Sequence, residues 1–185
     1  MHAAAQPSVD WPAYARQVIE SAVRGVAPEY QPSPVSGPHG GVFVTLHKFK
    51  RLRGCMGTLD PSLSVADAVR RAAASSALHD PRFSPVAVAE LPDLVVEVSI
   101  LSAPEPMGTI DELELGRHGV IVRQGMRQGL FLPQVAVEHH LDKETLLSRC
   151  CREKAGLSPD AWRDPDTEVL LFTAQVFSEE ERGSL

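Results

Sequence analysis

The apolar and polar positions resolve this chain into short strands and helices that follow no repeating order. Trp11, Ala15, Val18, Ile19, Ala22 and Val23 recur at helical spacing and give a first helix one apolar face. Asp10 is placed to cap it, Pro12 is tolerated in its first turn, and Gly25 can stop it. Residues 28–41 follow, with Pro28, Pro32, Pro34, Pro38 and a Gly-Gly pair, and read as a loop. Val42, Val44 and Leu46 then alternate with Phe43, Thr45 and His47, as in a half-buried strand. Residues 52–58 can pair with it as a hairpin whose turn holds the Lys-Phe-Lys-Arg run. Strict alternation puts Leu52, Gly54 and Met56 on one face of that second strand, and Arg53 and Cys55 on the other.

Ser64 and Asp67 form a near capping box ahead of an alanine-rich helix over Val65–Leu78, with Leu63 and Ala68 as its hydrophobic staple. Pro81 disfavours helical geometry at Asp80 and so ends it. Leu94, Val96, Val98 and Ile100 line one face of a strong strand, with Glu97 and Ser99 on the other. Residues 119–124 and 130–132 form a further hairpin across 125–129. Pro133 opens a short helix, and Asp142 caps a longer one that ends at Gly156. Residues 167–177 make a last strand, and Glu179, Glu180 and Glu181 a solvated tail. Hairpins without a βαβ rhythm predict an α+β fold, antiparallel sheets flanked by helices.

At 185 residues the chain can bury a sizeable core. No apolar run approaches the roughly 20 residues that span a bilayer, so a membrane is not expected as a partner. The first residues lack the basic and apolar regions of a signal peptide. Three cysteines, two of them adjacent, make no disulfide framework and predict a cytoplasmic location.

Charge changes the picture at one place. The net charge is −6, yet Gln31 to Leu59 holds Lys48, Lys50, Arg51 and Arg53 and no acid. The overall acidity and a lone aromatic, Phe49, argue against general nucleic-acid binding. Within this basic stretch sits Cys55, and cationic neighbours favour the reactive thiolate form of a cysteine. Cys55 is the candidate nucleophile, redox thiol or metal ligand; the alternative is a small residue chosen for packing. Gly54 and Gly57 admit the close approach of a backbone or ligand. Arg53 and Arg82 could cradle an anionic small molecule, or be held in structural salt bridges to Glu97 or Asp80. Glu97 is unusual on an apolar strand, and a buried carboxylate needs a partner. His47, His79 and His118 are the available bases, though His118 could equally be a turn residue.

Cys150 and Cys151 extend an apolar helix face and are not a redox pair. His139 and His140 lack the spacing of a helical zinc site, and neither a metal nor another cofactor is expected.

Leu52-Arg53-Gly54-Cys55-Met56-Gly57 closely resembles the Leu-Arg-Gly-Cys-Ile-Gly signature of the AMMECR family, whose bacterial members are labelled AmmeMemoRadiSam system protein A. Four more segments match in order. They are Ser76 to Phe83, Glu90-Leu91-Pro92 with Glu97 to Leu101, Gly116-x-His118-Gly119, and Leu132-Pro133-x-Val135-Ala136. His139-His140-Leu141 departs from the family's common Gln-Gly-Trp, and Met56 replaces Ile. The resemblance implies one AMMECR-type domain over residues 1–185, with loosely held ends at about 1–9 and 179–185. It also implies two unequal lobes with the signature near a cleft. Implied company is a Memo-like protein and a radical SAM protein. Two roles follow: binding or modifying an anionic substrate around the signature, or serving as a non-catalytic partner module.

Overall fold

The computed structural model describes residues 9–28 and 39–179. Most of the proline-rich 28–41 loop, and Glu180 and Glu181, lie outside them. The chain divides into two compact units, Met1–Ile100 with Val176–Leu185, and Leu101–Gln175.

In the first unit, helix α1 (Trp11–Arg24) starts at Asp10, whose side chain accepts from the Ala13 amide, and stops at Gly25 in the left-handed region. Strands β1 (Gly41–Lys48) and β2 (Arg51–Thr58) form an antiparallel hairpin. Helix α2 (Val65–Leu78) is capped by Ser64, as the near capping box predicts. Strand β3 (Leu94–Leu101) lies beside β1, and β8 (Ala174–Ser178) completes the sheet order β2-β1-β3-β8. The core joins Val42, Val44 and Leu46 to Val96 and Val98 and to the alanine face of α2. Small alanines let this helix approach closely, and that approach constrains the strand beneath it.

In the second unit, β4 (Glu105–Pro106), β5 (Gly119–Gln124), β6 (Arg127–Phe131) and β7 (Glu168–Phe172) form a sheet of order β4-β7-β5-β6. Helices α3 (Gln134–Glu138) and α4 (Lys143–Arg149) follow β6, and α4 runs on through a π-helical turn, Cys150–Ala155. Cys150 and Cys151 are core residues there, and burial pushes the Cys150 thiol up to about 12.

Two expectations need correction. The strand foreseen over 167–177 is broken at Thr173, and its halves belong to different sheets, because β7 pairs with β5 while β8 lies beside β3. Nor is Glu179 part of a solvated tail. Its carboxylate accepts from Arg16 (Nη2 to Oε2, 2.7 Å) and from the Val96 amide (3.0 Å), while Arg16 also donates to the Leu91 and Leu94 carbonyls. An arginine saturated this way ties α1 to the end of β8.

Candidate functional site

The signature lies on β2, the edge strand of the first sheet. Its register is shifted. Leu46 pairs with Gly54 and His47 with Leu52, which leaves Arg53 as the extra residue of a β-bulge. Leu52 therefore lies across from His47, on the face that Cys55 shares across from Thr45. That differs from the strict alternation expected, in which Leu52 stays with Gly54.

Each signature glycine answers to packing. A Cβ on Gly54 would lie 2.3 Å from the Ser76 carbonyl oxygen of α2, so the helix backbone occupies that space. A Cβ on Gly57 would lie 2.3 Å from the Phe43 ring, directly across in register. Of the backbone or ligand expected at these glycines, Gly54 meets a backbone, that of α2, and Gly57 meets the Phe43 side chain.

An edge strand leaves backbone groups unpaired, and here a turn after α2 supplies partners. Asp80-Pro81-Arg82-Phe83 folds locally. The Phe83 amide donates to the Asp80 carbonyl (3.1 Å), and the Arg82 amide to Asp80 Oδ1 (3.0 Å). That fixes the Asp80 carboxylate against β2, where Oδ2 accepts from the Cys55 amide at 2.9 Å. Arg82 grips the same carboxylate through Nε (2.9 Å) and Nη2 (2.7 Å), and Nη2 also donates to the Cys55 carbonyl (3.1 Å). Cys55 thus has both backbone groups turned outward and clamped by an Asp–Arg pair. Asp80 is only 2 % exposed, and its bonds from Arg82 and the Cys55 amide hold its carboxyl well below the usual range.

Arg53 turns to a different partner. Its Nε and Nη2 grip Glu90 in a fork (3.0 and 2.9 Å), and Nη1 donates to the Ser84 carbonyl (3.0 Å). Lys48, expected to lie apart at the hairpin turn, donates to Glu90 Oε1 as well (3.1 Å), and the Ala87 amide donates to Oε2 (3.0 Å). Phe83 lies beneath both guanidinium groups, its ring centre 6.0 Å from Arg53 Cζ and 5.5 Å from Arg82 Cζ. The salt-bridge alternative therefore holds for both arginines, with Glu90 in the place expected of Glu97.

Hydrogen bonds from Arg53, then from the Ala87 amide and Lys48, lower Glu90 to about 2 from a reference of 4.5. A folded value below the unfolded one stabilises the protein above the unfolded pKa, and that stability is lost as the pH falls through the folded one. The Glu90 contribution is thus complete above about pH 4.5 and disappears towards about pH 2. Urea midpoints measured across that window should fall for the wild type and fall less steeply for Glu90→Gln. Equal slopes would count against this assignment.

Cys55 itself is half-buried, and its Sγ accepts from the Thr45 hydroxyl at 3.3 Å. No histidine or carboxylate is hydrogen-bonded to the sulfur among the described residues. His47 pairs in register with Leu52, and His79 is an exposed residue that closes α2. His118 lies in the second unit and is a turn residue, its Nδ1 accepting from the Glu114 amide at 3.1 Å. Glu97 is half-buried on β3 and has no hydrogen bond or ion pair among the described residues. No group of three or more His, Cys, Asp or Glu among the described residues is placed to hold a metal ion. The site thus unites Arg53, Cys55 and Arg82 with Thr45, Asp80, Phe83 and Glu90. Glu90 and Thr45 escape sequence reasoning, although a basic stretch without acids does signal a missing counter-charge from elsewhere in the chain.

The AMMECR1 family model matches residues 12–177. A protein of Thermococcus gammatolerans is 44% identical over 179 residues, which cover 90% of this chain and 87% of that one. A protein of Methanosarcina acetivorans is 48% identical over 153 residues, covering 80% and 76%. The crystal structure of the uncharacterised protein PH0010 from Pyrococcus horikoshii matches with a TM-score of 0.83 at 40% identity, covering 94% of this chain and 92% of its own. With the signature, its clamp and nearly the whole chain matched, this protein belongs to the AMMECR1 family.

Proposed function

We propose that this protein is a non-catalytic partner module that docks another protein, with a Memo-like protein and a radical SAM protein as the candidates that family resemblance suggests. One observation carries the reading: the two arginines at the signature, Arg53 within it and Arg82 beside it, already grip carboxylates of the fold. Arg53 is bound to Glu90 and Arg82 to Asp80, each through a two-pronged contact. A nucleophilic cysteine needs a base to receive its proton, and the group bonded to Cys55 Sγ is a threonine hydroxyl. A cytoplasmic setting suits three thiols that pair with nothing. No helix of the described residues is long and apolar enough to cross a membrane.

Isothermal titration with a Memo-like protein or a radical SAM protein is the test. The expected result is a Kd of about 10 μM or tighter, left within roughly twofold by Cys55→Ser. No binding to either protein at about 100 μM, or a turnover that Cys55→Ser abolishes, would overturn the reading.

A second reading rests on Arg82, whose side chain is 54 % exposed and whose Nη1 has no partner among the described residues. That edge could hold the carboxylate or phosphate of an anionic small molecule.

A further inference from the structure

The β1–β2 hairpin turns in two residues, since Lys48 pairs with Arg51 and only Phe49 and Lys50 lie between. Both have positive φ, 50° and 63°. This is the type I′ pattern, for which Asn-Gly is the favoured pair. Residues with a Cβ are strained there, and paired strain at a surface tip calls for a reason beyond folding. Phe49 is 74 % exposed and contributes to neither core. The turn thus holds an exposed aromatic ring, with Lys48 Nζ 5.6 Å from its centre, where an Asn-Gly pair would suit the backbone better.

The neighbours of the tip share its character. Phe49 and Leu52 supply apolar walls, and Lys48, Arg51 and Arg53 cationic ones, to a groove of about 410 Å³. Lys48 and Arg53 are answered by Glu90, while the Arg51 side chain has no ion pair or hydrogen bond among the described residues. The groove belongs to the acid-free stretch of an otherwise acidic chain.

We propose that this tip docks an acidic segment of a partner protein, one that carries an aromatic side chain. The ring seats against Phe49 and Leu52, and the flanking carboxylates meet Arg51 and the Lys48 side of the groove. Charge complementarity selects this occupant. A nucleic acid would want a series of stacking rings, and the tip has one. The inference rests on the partner-module reading, and names the surface and the chemistry of the contact.

The probe is a fluorescein-labelled peptide, Glu-Asp-Glu-Phe-Glu-Asp-Glu, followed by anisotropy on the full chain. Wild type should bind it saturably and more weakly as salt rises, because exposed charges are screened over about 8 Å at physiological ionic strength. Phe49→Asn with Lys50→Gly should weaken binding about tenfold or more, while raising Tm by about 2–4 °C. A gain in stability with a loss of binding is a result that misfolding cannot produce. Arg51→Glu should weaken binding by a similar factor. Equal binding by wild type and variants, or none by wild type at about 100 μM, would overturn the inference. So would tighter binding of a single-stranded RNA of the same length. Self-association in sedimentation that the tip variants abolish would likewise overturn it, in favour of a second copy of this chain.

The same variants separate this inference from the reading beneath it. If a Memo-like or radical SAM protein binds wild type and tip variants alike, the tip is wrong and the module stands. If neither protein binds while the probe does, the module reading fails on its own.

Discussion

Asp80→Ala should lower the stability of this protein by about 2–4 kcal/mol, since a buried donor left unsatisfied costs about 1–3 kcal/mol and the half-exposed Arg82 adds little. The loss has three parts. The Cys55 amide is left without an acceptor on the sheet edge, Arg82 is left with an unanswered charge, and the turn after α2 loses the Arg82 amide bond to Oδ1. Asp80→Asn keeps one acceptor oxygen and should fall between wild type and alanine. Arg82→Ala should cost less than Asp80→Ala, because the arginine is half-exposed and the carboxylate it leaves keeps its two backbone donors. Urea unfolding of the three variants checks this ordering. An Asp80→Ala loss below about 1 kcal/mol would show that the edge of β2 is held by something else.

Gly54→Ala is expected to be as damaging, at about 3 kcal/mol or more, above the usual range for an overpacked core. The new methyl would meet the Ser76 carbonyl at 2.3 Å, and the obstacle is helix backbone, which cannot rotate away. Relief requires α2, whose Val69 and Ala73 share a buried core with Leu46 and Val96 of the sheet, to lift away. Gly57→Ala creates an equally short contact on paper. Its obstacle is the ring of Phe43, a half-buried side chain that can turn aside, so about 1–2 kcal/mol is expected. Thermal melts of the pair test the distinction, and equal losses would refute it. The signature thus specifies a strand that a helix can lie on, before it specifies any chemistry.

Much of the frame is legible in the residues. Asp10 and Gly25 bound α1, Ser64 and Pro81 bound α2, and the 94–101 alternation gives β3, because caps and period-two patterns act over a few positions. The bulge at Arg53 is not local. Counting back from the Phe49-Lys50 turn puts Gly54 opposite Thr45; the single extra residue instead brings Cys55 there, onto the face of Leu52, and turns Gly54 to the buried face opposite Leu46. Nothing in the hairpin's own sequence announces that extra residue, since it is fixed by α2 pressing on Gly54 and by Glu90 drawing Arg53. The Arg53 partner lies 37 residues ahead, and proximity in sequence favours the wrong carboxylates. At Thr173 strand propensity continues across a break set by which sheet each half can join.

That break has a consequence for synthesis on the ribosome. All of the second unit but Ala174 and Gln175 is made before β8, so it can fold while the first sheet still has β3 at an open edge. Vectorial synthesis therefore delivers the second unit nearly finished, while the first sheet waits for β8. Until Glu179 emerges, Arg16 has Glu20, one turn along α1, as its remaining carboxylate partner, beside an unpaired strand. The nascent chain is most vulnerable to edge-to-edge aggregation between the completion of β7 and the docking of β8.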